Sequence, residues 1–439
     1  MRLRRALFGL LGVALVGTAG FVAFARQPEI PASPSPSKAS FEPALIAKGA
    51  ELAMIGNCNV CHTKTDGMPY AGGRALATPF GTIHATNITP DPDTGIGGWS
   101  EAAFLRAMRE GVRRDGAHLY PAFPYDHFTK MSAADVRAIY AFLMTREPVR
   151  AETPANALPF PLSLRPLIAG WKVLFLKQGE LTPDPVLTAE LNRGAYLVEG
   201  LGHCGGCHTR RNALGAERND SYLGGGETEG WHAPALNGAS TAPVAWTADQ
   251  LFAYLRKGFV RPHGVAAGPM QPVVNNLANV AEADVKAIAA YIARIVGPAT
   301  EGRKEKVGPP STRPEAQSGS RALGDRDAIT TADGAIIYAG ACASCHEATG
   351  QRFSAHGIHL ASSKVVTMPD ARNLAHVILE GMAAPEASPA ATMPGFADAL
   401  TDAQVAALMT YLRSTFSERP AWSNVEATVR QVRRSASGS

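Results

Sequence analysis

The chain has 439 residues, enough for about three domains at roughly 150 residues each. With 46% hydrophobic and 18% charged residues it can bury a core, which excludes a disordered or fibrous chain. Its 42 basic and 38 acidic residues form no long basic block, so no nucleic acid is expected among its partners.

Arg2, Arg4 and Arg5 precede an uncharged run from Ala6 to Ala25. As a helix, its roughly twenty residues would span about 30 Å, the hydrocarbon thickness of a bilayer. Positive charge stays on the cytoplasmic side, so the rest of the chain is expected outside the cytoplasmic membrane. Residues 1–26 read either as a retained anchor or, because Ala23-Phe24-Ala25 has the small-x-small form of a signal-peptidase site, as a cleaved signal peptide. Residues 27–41, with Pro28, Pro31, Pro34 and Pro36, read as a semi-rigid spacer.

One series of signals then occurs three times, over residues 42–147, 188–298 and 330–416. Each unit opens on a short apolar helix containing a glycine, Gly49, Gly194 or Gly334, that runs into Cys-x-x-Cys-His. A middle helix follows, with Ser100 and Thr247 as expected N-caps and Gly111 and Gly258 as C-caps; the third unit runs through Leu374, Val377 and Ile378 to Gly381. The closing helices agree in register: Val136, Ile139, Phe142 and Leu143 match Val285, Ile288, Tyr291 and Ile292, and Val405, Leu408, Tyr411 and Leu412. That spacing marks one helical face. Residues 148–187 form an apolar connector whose densest stretch, Leu162 to Leu176, suits packing between domains or docking to a partner or membrane surface. Residues 299–329 read as an exposed linker, and the tail 417–439 carries no motif.

All six cysteines fall in the three motifs: Cys58, Cys61 and His62; Cys204, Cys207 and His208; Cys342, Cys345 and His346. Cys-x-x-Cys-His is the attachment signature of c-type haem, in which two thiols bond the porphyrin edge and the histidine becomes an axial iron ligand. A zinc site would need further Cys or His ligands beside each pair, and a thiol redox pair a thioredoxin-like setting; neither is evident. Three covalent haems are therefore expected.

The second axial ligand of a small helical cytochrome comes from the loop between the middle and closing helices. Twelve residues beyond Gly258 lies Met270, and twelve beyond Gly381 lies Met393; both sit beside prolines and glycines that make rigid turns. Their soft sulfur favours reduced iron and raises the potential. The equivalent place after Gly111 is Phe123, which has no lone pair. His127 is then the candidate metal ligand for the first haem, with His118, Met131 or an open position as alternatives. Met131 also suits an apolar staple before the closing helix.

The chain resembles the membrane-bound triple-haem cytochrome c subunits of bacterial periplasmic dehydrogenases, such as the alcohol and gluconate dehydrogenase complexes. Beside the haem motifs, the resemblance rests on Ala71-Gly72-Gly73, Thr78-Pro79-Phe80-Gly81, Thr86-Asn87-Ile88-Thr89-Pro90-Asp91, Thr94-Gly95-Ile96-Gly97 and Leu119-Tyr120-Pro121-Ala122-Phe123-Pro124-Tyr125. It implies an all-α chain of three tandem class I cytochrome c domains behind an N-terminal membrane helix, with the haem domains in the periplasm. It also implies a non-catalytic subunit that takes electrons from a quinoprotein, flavoprotein or molybdenum hydroxylase and delivers them to quinone or a terminal oxidase. Phe123 resembles the branch serving molybdenum hydroxylases that oxidise aldehydes or N-heterocycles. The rival expectation is a haem enzyme of peroxidase or reductase type, using an open position at the first iron.

Overall fold

The computed structural model describes residues 2–242, 244–261, 263–297, 331–346, 360–383 and 392–436, so the expected linker 299–329 lies outside the described residues. The fold is mostly helical and divides into two compact units where the sequence repeats number three. One comprises Met1–Val186, Ala195–His203 and Ala213–Ala216; the other comprises Leu187–Gly194, Cys204–Asn212 and Glu217–Ser439. Among the described residues, three short antiparallel hairpins interrupt the expected all-α architecture.

The first unit begins with α1 (Arg2–Ala25). The expected membrane helix is not found: among the described residues no helix is long and apolar enough to cross a membrane, and the side chains of residues 1–11, 13 and 14 lie outside the description. The proline-rich run does not hang as a spacer. Ile30 N–H donates to Arg114 O (2.9 Å), Ser33 N–H to Gly98 O (3.1 Å), and Arg106 Nη1 to Pro28 O (2.7 Å), which straps the run along the first repeat. Then come α2 (Pro43–Ile55), α3 (Cys58–Cys61), β1 (Ala75–Thr78) paired with β2 (Gly81–His84), α4 (Glu101–Glu110), α5 (Tyr125–Phe128) and α6 (Ala133–Met144). Ser100 Oγ accepts from Ala103 N–H and Gly111 closes α4 at φ +63°, so both expected caps form. In the connector, α7 (Leu167–Phe175) buries Ala169 and sets Trp171 edge-on to Tyr125 at 6.0 Å, leaving Val173 and Leu174 exposed.

In chain order there follow α8 (Ala189–Tyr196), α9 (Gly205–His208), β3 (Gly226–Thr228) paired with β4 (Trp231–Ala233), α10 (Ala248–Lys257), β5 (Phe259–Val260) paired with β6 (Gly264–Val265), α11 (Met270–Leu277) and α12 (Glu282–Val296). The third repeat supplies α13 (Thr331–Ala341), α14 (Ala343–His346), α15 (Lys364–Thr367), α16 (Arg372–Glu380), α17 (Asp402–Phe416) and α18 (Val425–Ala436). Thr247 caps α10 in a capping box with Gln250, and Thr401 does the same for α17 with Gln404. The tail proves structured: α18 buries Val429 and Val432 against the core of α16 and α17, and Arg433 bonds Asp402 at 2.7 Å.

The opening and closing helices of every repeat cross at the glycine. A Cβ on Gly49 would lie 1.9 Å from Ala138 O, one on Gly194 2.1 Å from Ala287 O, and one on Gly334 2.3 Å from Ala407 O. Each of those alanines stands two residues beyond the first member of the shared face, Val136, Val285 or Val405, and these three valines are all fully buried. The same backbone contact therefore sets the helix crossing three times, which is why hydrophobic spacing and glycine placement repeat together.

Candidate functional site

The three motifs fold alike. α3, α9 and α14 are single turns, and each bends the histidine amide back onto the first cysteine: His62 N–H donates to Cys58 O (3.0 Å), His208 to Cys204 O (3.0 Å) and His346 to Cys342 O (3.1 Å). The break before the turn comes from a left-handed residue, Asn57 at φ +52° in the first repeat and His203 at φ +38° in the second. None of the six cysteines is joined in a disulfide. Burial, then the charge of the paired cysteine, pushes the Cys58 and Cys204 thiols up to about 12 and Cys342 up to about 11. A thiol redox pair needs the opposite shift, because the thiolate is its nucleophile.

The imidazoles of the first two motifs are held by backbone carbonyls. His62 Nδ1–H donates to Thr86 O (2.6 Å) and His208 Nδ1–H to Pro234 O (2.7 Å). Burial lowers the pKa of both, that of His208 to about 4, against the raising effect of those carbonyls. Each ring is therefore neutral near pH 7, with its proton on Nδ1 and its lone pair on Nε2, as an iron ligand requires. The hairpins supply these carbonyls and also close over the motif: Gly72 N–H donates to His62 O and Gly225 N–H to His208 O, both at 2.8 Å. Arg74 Nη1 donates to Val60 O (2.6 Å) and Arg211 Nη2 to Gly206 O (2.9 Å), fixing the residues between the cysteines. Two adjacent thiols beside an oriented neutral imidazole form a donor set that fits covalent haem c.

The expected second ligands occupy three different settings. Met270 is the first residue of α11, half-buried after the turn at Gly268 and Pro269. Met393 is half-buried on a two-way backbone bridge with Met382, each N–H to O distance being 2.9 Å. Gly381 is needed there, since a Cβ would meet Met393 O at 2.5 Å. Phe123 packs its ring on Phe128 at 5.3 Å.

His127 is buried on α5, with Nδ1 2.8 Å from Glu199 O, the same carbonyl arrangement as His62 and His208. His118 is buried too, but both its ring nitrogens are engaged by the protein: Nε2 donates to Ala25 O (2.8 Å) and Nδ1 accepts from Lys172 Nζ (3.0 Å). Met131 is fully buried just before Ser132, the cap of α6, which is the place of the apolar staple. Thr86, Pro234 and Glu199 carry no signal in the sequence that marks them as site residues, because they act through main-chain oxygen.

Two families match parts of the chain: Cytochrome c over residues 46–147, and Cytochrome C oxidase, cbb3-type, subunit III, over residues 330–412. The chain is 45% identical over 435 residues to one of the nicotinate dehydrogenase subunits of Pseudomonas putida; this covers 97% of the chain but 35% of that relative, so the chain spans about a third of its length. It is 36% identical to the fructose dehydrogenase cytochrome subunit of Gluconobacter japonicus, covering 91% of the chain and 84% of the relative. It is 37% identical to the gluconate 2-dehydrogenase cytochrome c subunit of Pantoea cypripedii, covering 85% and 86%.

Proposed function

The chain belongs to the cytochrome c subunits of dehydrogenase complexes, and from that premise we propose that it carries three haems and relays electrons from a catalytic subunit to quinone or a terminal oxidase. It is an electron-transfer subunit and not a catalytic one. The observation that carries the three-haem reading is the identical fold of Cys-x-x-Cys-His in all three repeats. Haem c supplies a reversible one-electron change at iron. The cysteine pairs would anchor it and His62, His208 and His346 would ligate its iron, with two of those rings held by Thr86 O and Pro234 O.

In this reading Met270 and Met393 complete the second and third sites, and His127 completes the first. His127 is favoured because Glu199 O holds its ring at Nδ1 as Thr86 O and Pro234 O hold those of His62 and His208, while both nitrogens of His118 bond to Ala25 and Lys172. Replacing Met270 or Met393 with histidine is expected to lower that site's potential and abolish its far-red sulfur-to-iron band; spectra unchanged in both would count against methionine ligation. For His127→Ala, low-temperature electron paramagnetic resonance should show loss of the low-spin signal from the first site. An unchanged signal would mean that His127 is not the ligand.

The catalytic partner we favour is a molybdenum hydroxylase acting on N-heterocycles. Phe123 at the expected methionine position supports this, as does the 45% identity to a protein named for nicotinate, itself an N-heterocycle. We place the haem domains in the periplasm with residues 1–26 at the cytoplasmic membrane, on the strength of the arginines before Ala6 to Ala25. The complex purified with its partners should show its haem bands reduced by added nicotinate or a related N-heterocycle. If only dithionite reduces them, the proposed partner is wrong.

A further inference from the structure

Within the second unit the β3–β4 hairpin touches both ends of the second repeat's site and, on its outer side, α16 of the third repeat. Pro234 O, one residue past β4, holds the His208 ring at 2.7 Å. Trp231, at the start of β4, lies flat beneath the turn before Met270: a Cβ on Gly268 would fall 2.4 Å from the indole, so the backbone there rests directly on the ring. The same indole stacks on His376 of α16, with centroids 4.5 Å apart and planes 17° from parallel. His376 is buried and is held from its other side by Glu380 at 2.6 Å.

A polar clasp keeps this stack in register. His232 N–H donates to Asn373 Oδ1 and Asn373 Nδ2 donates to His232 O, both at 2.8 Å, so one side chain satisfies the main chain of β4 in both directions. Arg372 adds a bond to Glu227 of β3 at 2.6 Å. The first hairpin is fastened differently: Thr82 exchanges backbone bonds with Ala157 of the connector, at 3.1 and 2.9 Å. The hairpin that holds the second repeat's histidine is thus fastened, by aromatic stacking and a two-way amide bond, to a helix of the third.

Electron tunnelling falls exponentially with separation, so two redox centres in separate repeats need a fixed contact. We propose that Trp231 and His376 form the electron-transfer contact between the second and third repeats, with Asn373 as the positioning residue that keeps them stacked. This rests on the three-haem reading. The transfer would move one electron between the two sites, oxidising the iron of one and reducing that of the other, with no bond formed or broken and no proton moved.

The test uses the full-length holoprotein, flash-photoreduced with fewer electrons than haems while their redistribution is followed optically. Trp231→Ala and His376→Ala should each slow redistribution between the second and third sites at least tenfold, with haem count unchanged in both and all three midpoint potentials unchanged in His376→Ala. Trp231→Phe, which keeps a ring, should stay within twofold of the wild type. An unchanged rate in either alanine variant, a slowing in His376→Ala accompanied by shifted potentials, or a Trp231→Phe variant as slow as Trp231→Ala would overturn the proposal. A wild-type protein carrying two haems would instead remove the reading beneath it.

Discussion

Mass spectrometry of the mature holoprotein is expected to show three haem additions, and changing both Cys204 and Cys207 to alanine to remove one of them. The three motifs use every cysteine in the chain, so each thiol has one assigned task. Their elevated pKa values, about 12 for Cys58 and Cys204, describe thiols kept from solvent and not a reactive exchange pair. With both thiols of the second motif gone, His208 alone cannot retain a haem through denaturation, so about a third of the haem absorbance of the unfolded chain should vanish. Fewer than three additions on the unaltered chain would sink the assignment of one haem to each repeat.

Gly194→Val is expected to cost about 3 kcal/mol or more and to unfold the second repeat well below the wild-type melting temperature. The added Cβ would stand 2.1 Å from Ala287 O and 2.6 Å from Tyr291 Cβ. Those neighbours are backbone and the root of a side chain, so relief requires α8 and α12 to move apart. Gly340 in α13 is the control, since a Cβ there meets nothing within 4 Å. Gly340→Ala should be neutral or stabilising by up to about 1 kcal/mol from helix propensity. Thermal melting followed by far-ultraviolet circular dichroism distinguishes the two; equal midpoints would mean that the glycine crossing is not what sets helix spacing.

Much of this architecture could be read from residue pattern, because helices announce themselves by side-chain periodicity and by caps. Ser100 and Thr247 accept the bonds expected of them, and Val136, Val285 and Val405 are buried as the common face requires. The hairpins were not legible: β3 is only Gly226–Thr228, too short to show alternation, and it forms because glycines let the chain close on His208. Nor was the strap along the first repeat, since proline-rich sequence reads the same whether extended in solvent or laid on a surface. At the site, cysteine and histidine were visible because attachment fixes their spacing. Trp231 and His376 lie 145 residues apart, and nothing in either neighbourhood announces the other.

The carbonyls of Thr86 and Pro234 have a consequence for how such a site tolerates change. Every amino acid presents the same main-chain oxygen, so the group that aims the imidazole persists whatever side chain occupies the position. A systematic alanine scan would score both positions as silent, although they set the direction of the ring proposed to bind iron. Their importance is carried by loop shape, and an inserted or deleted residue in either hairpin would reveal what no substitution can.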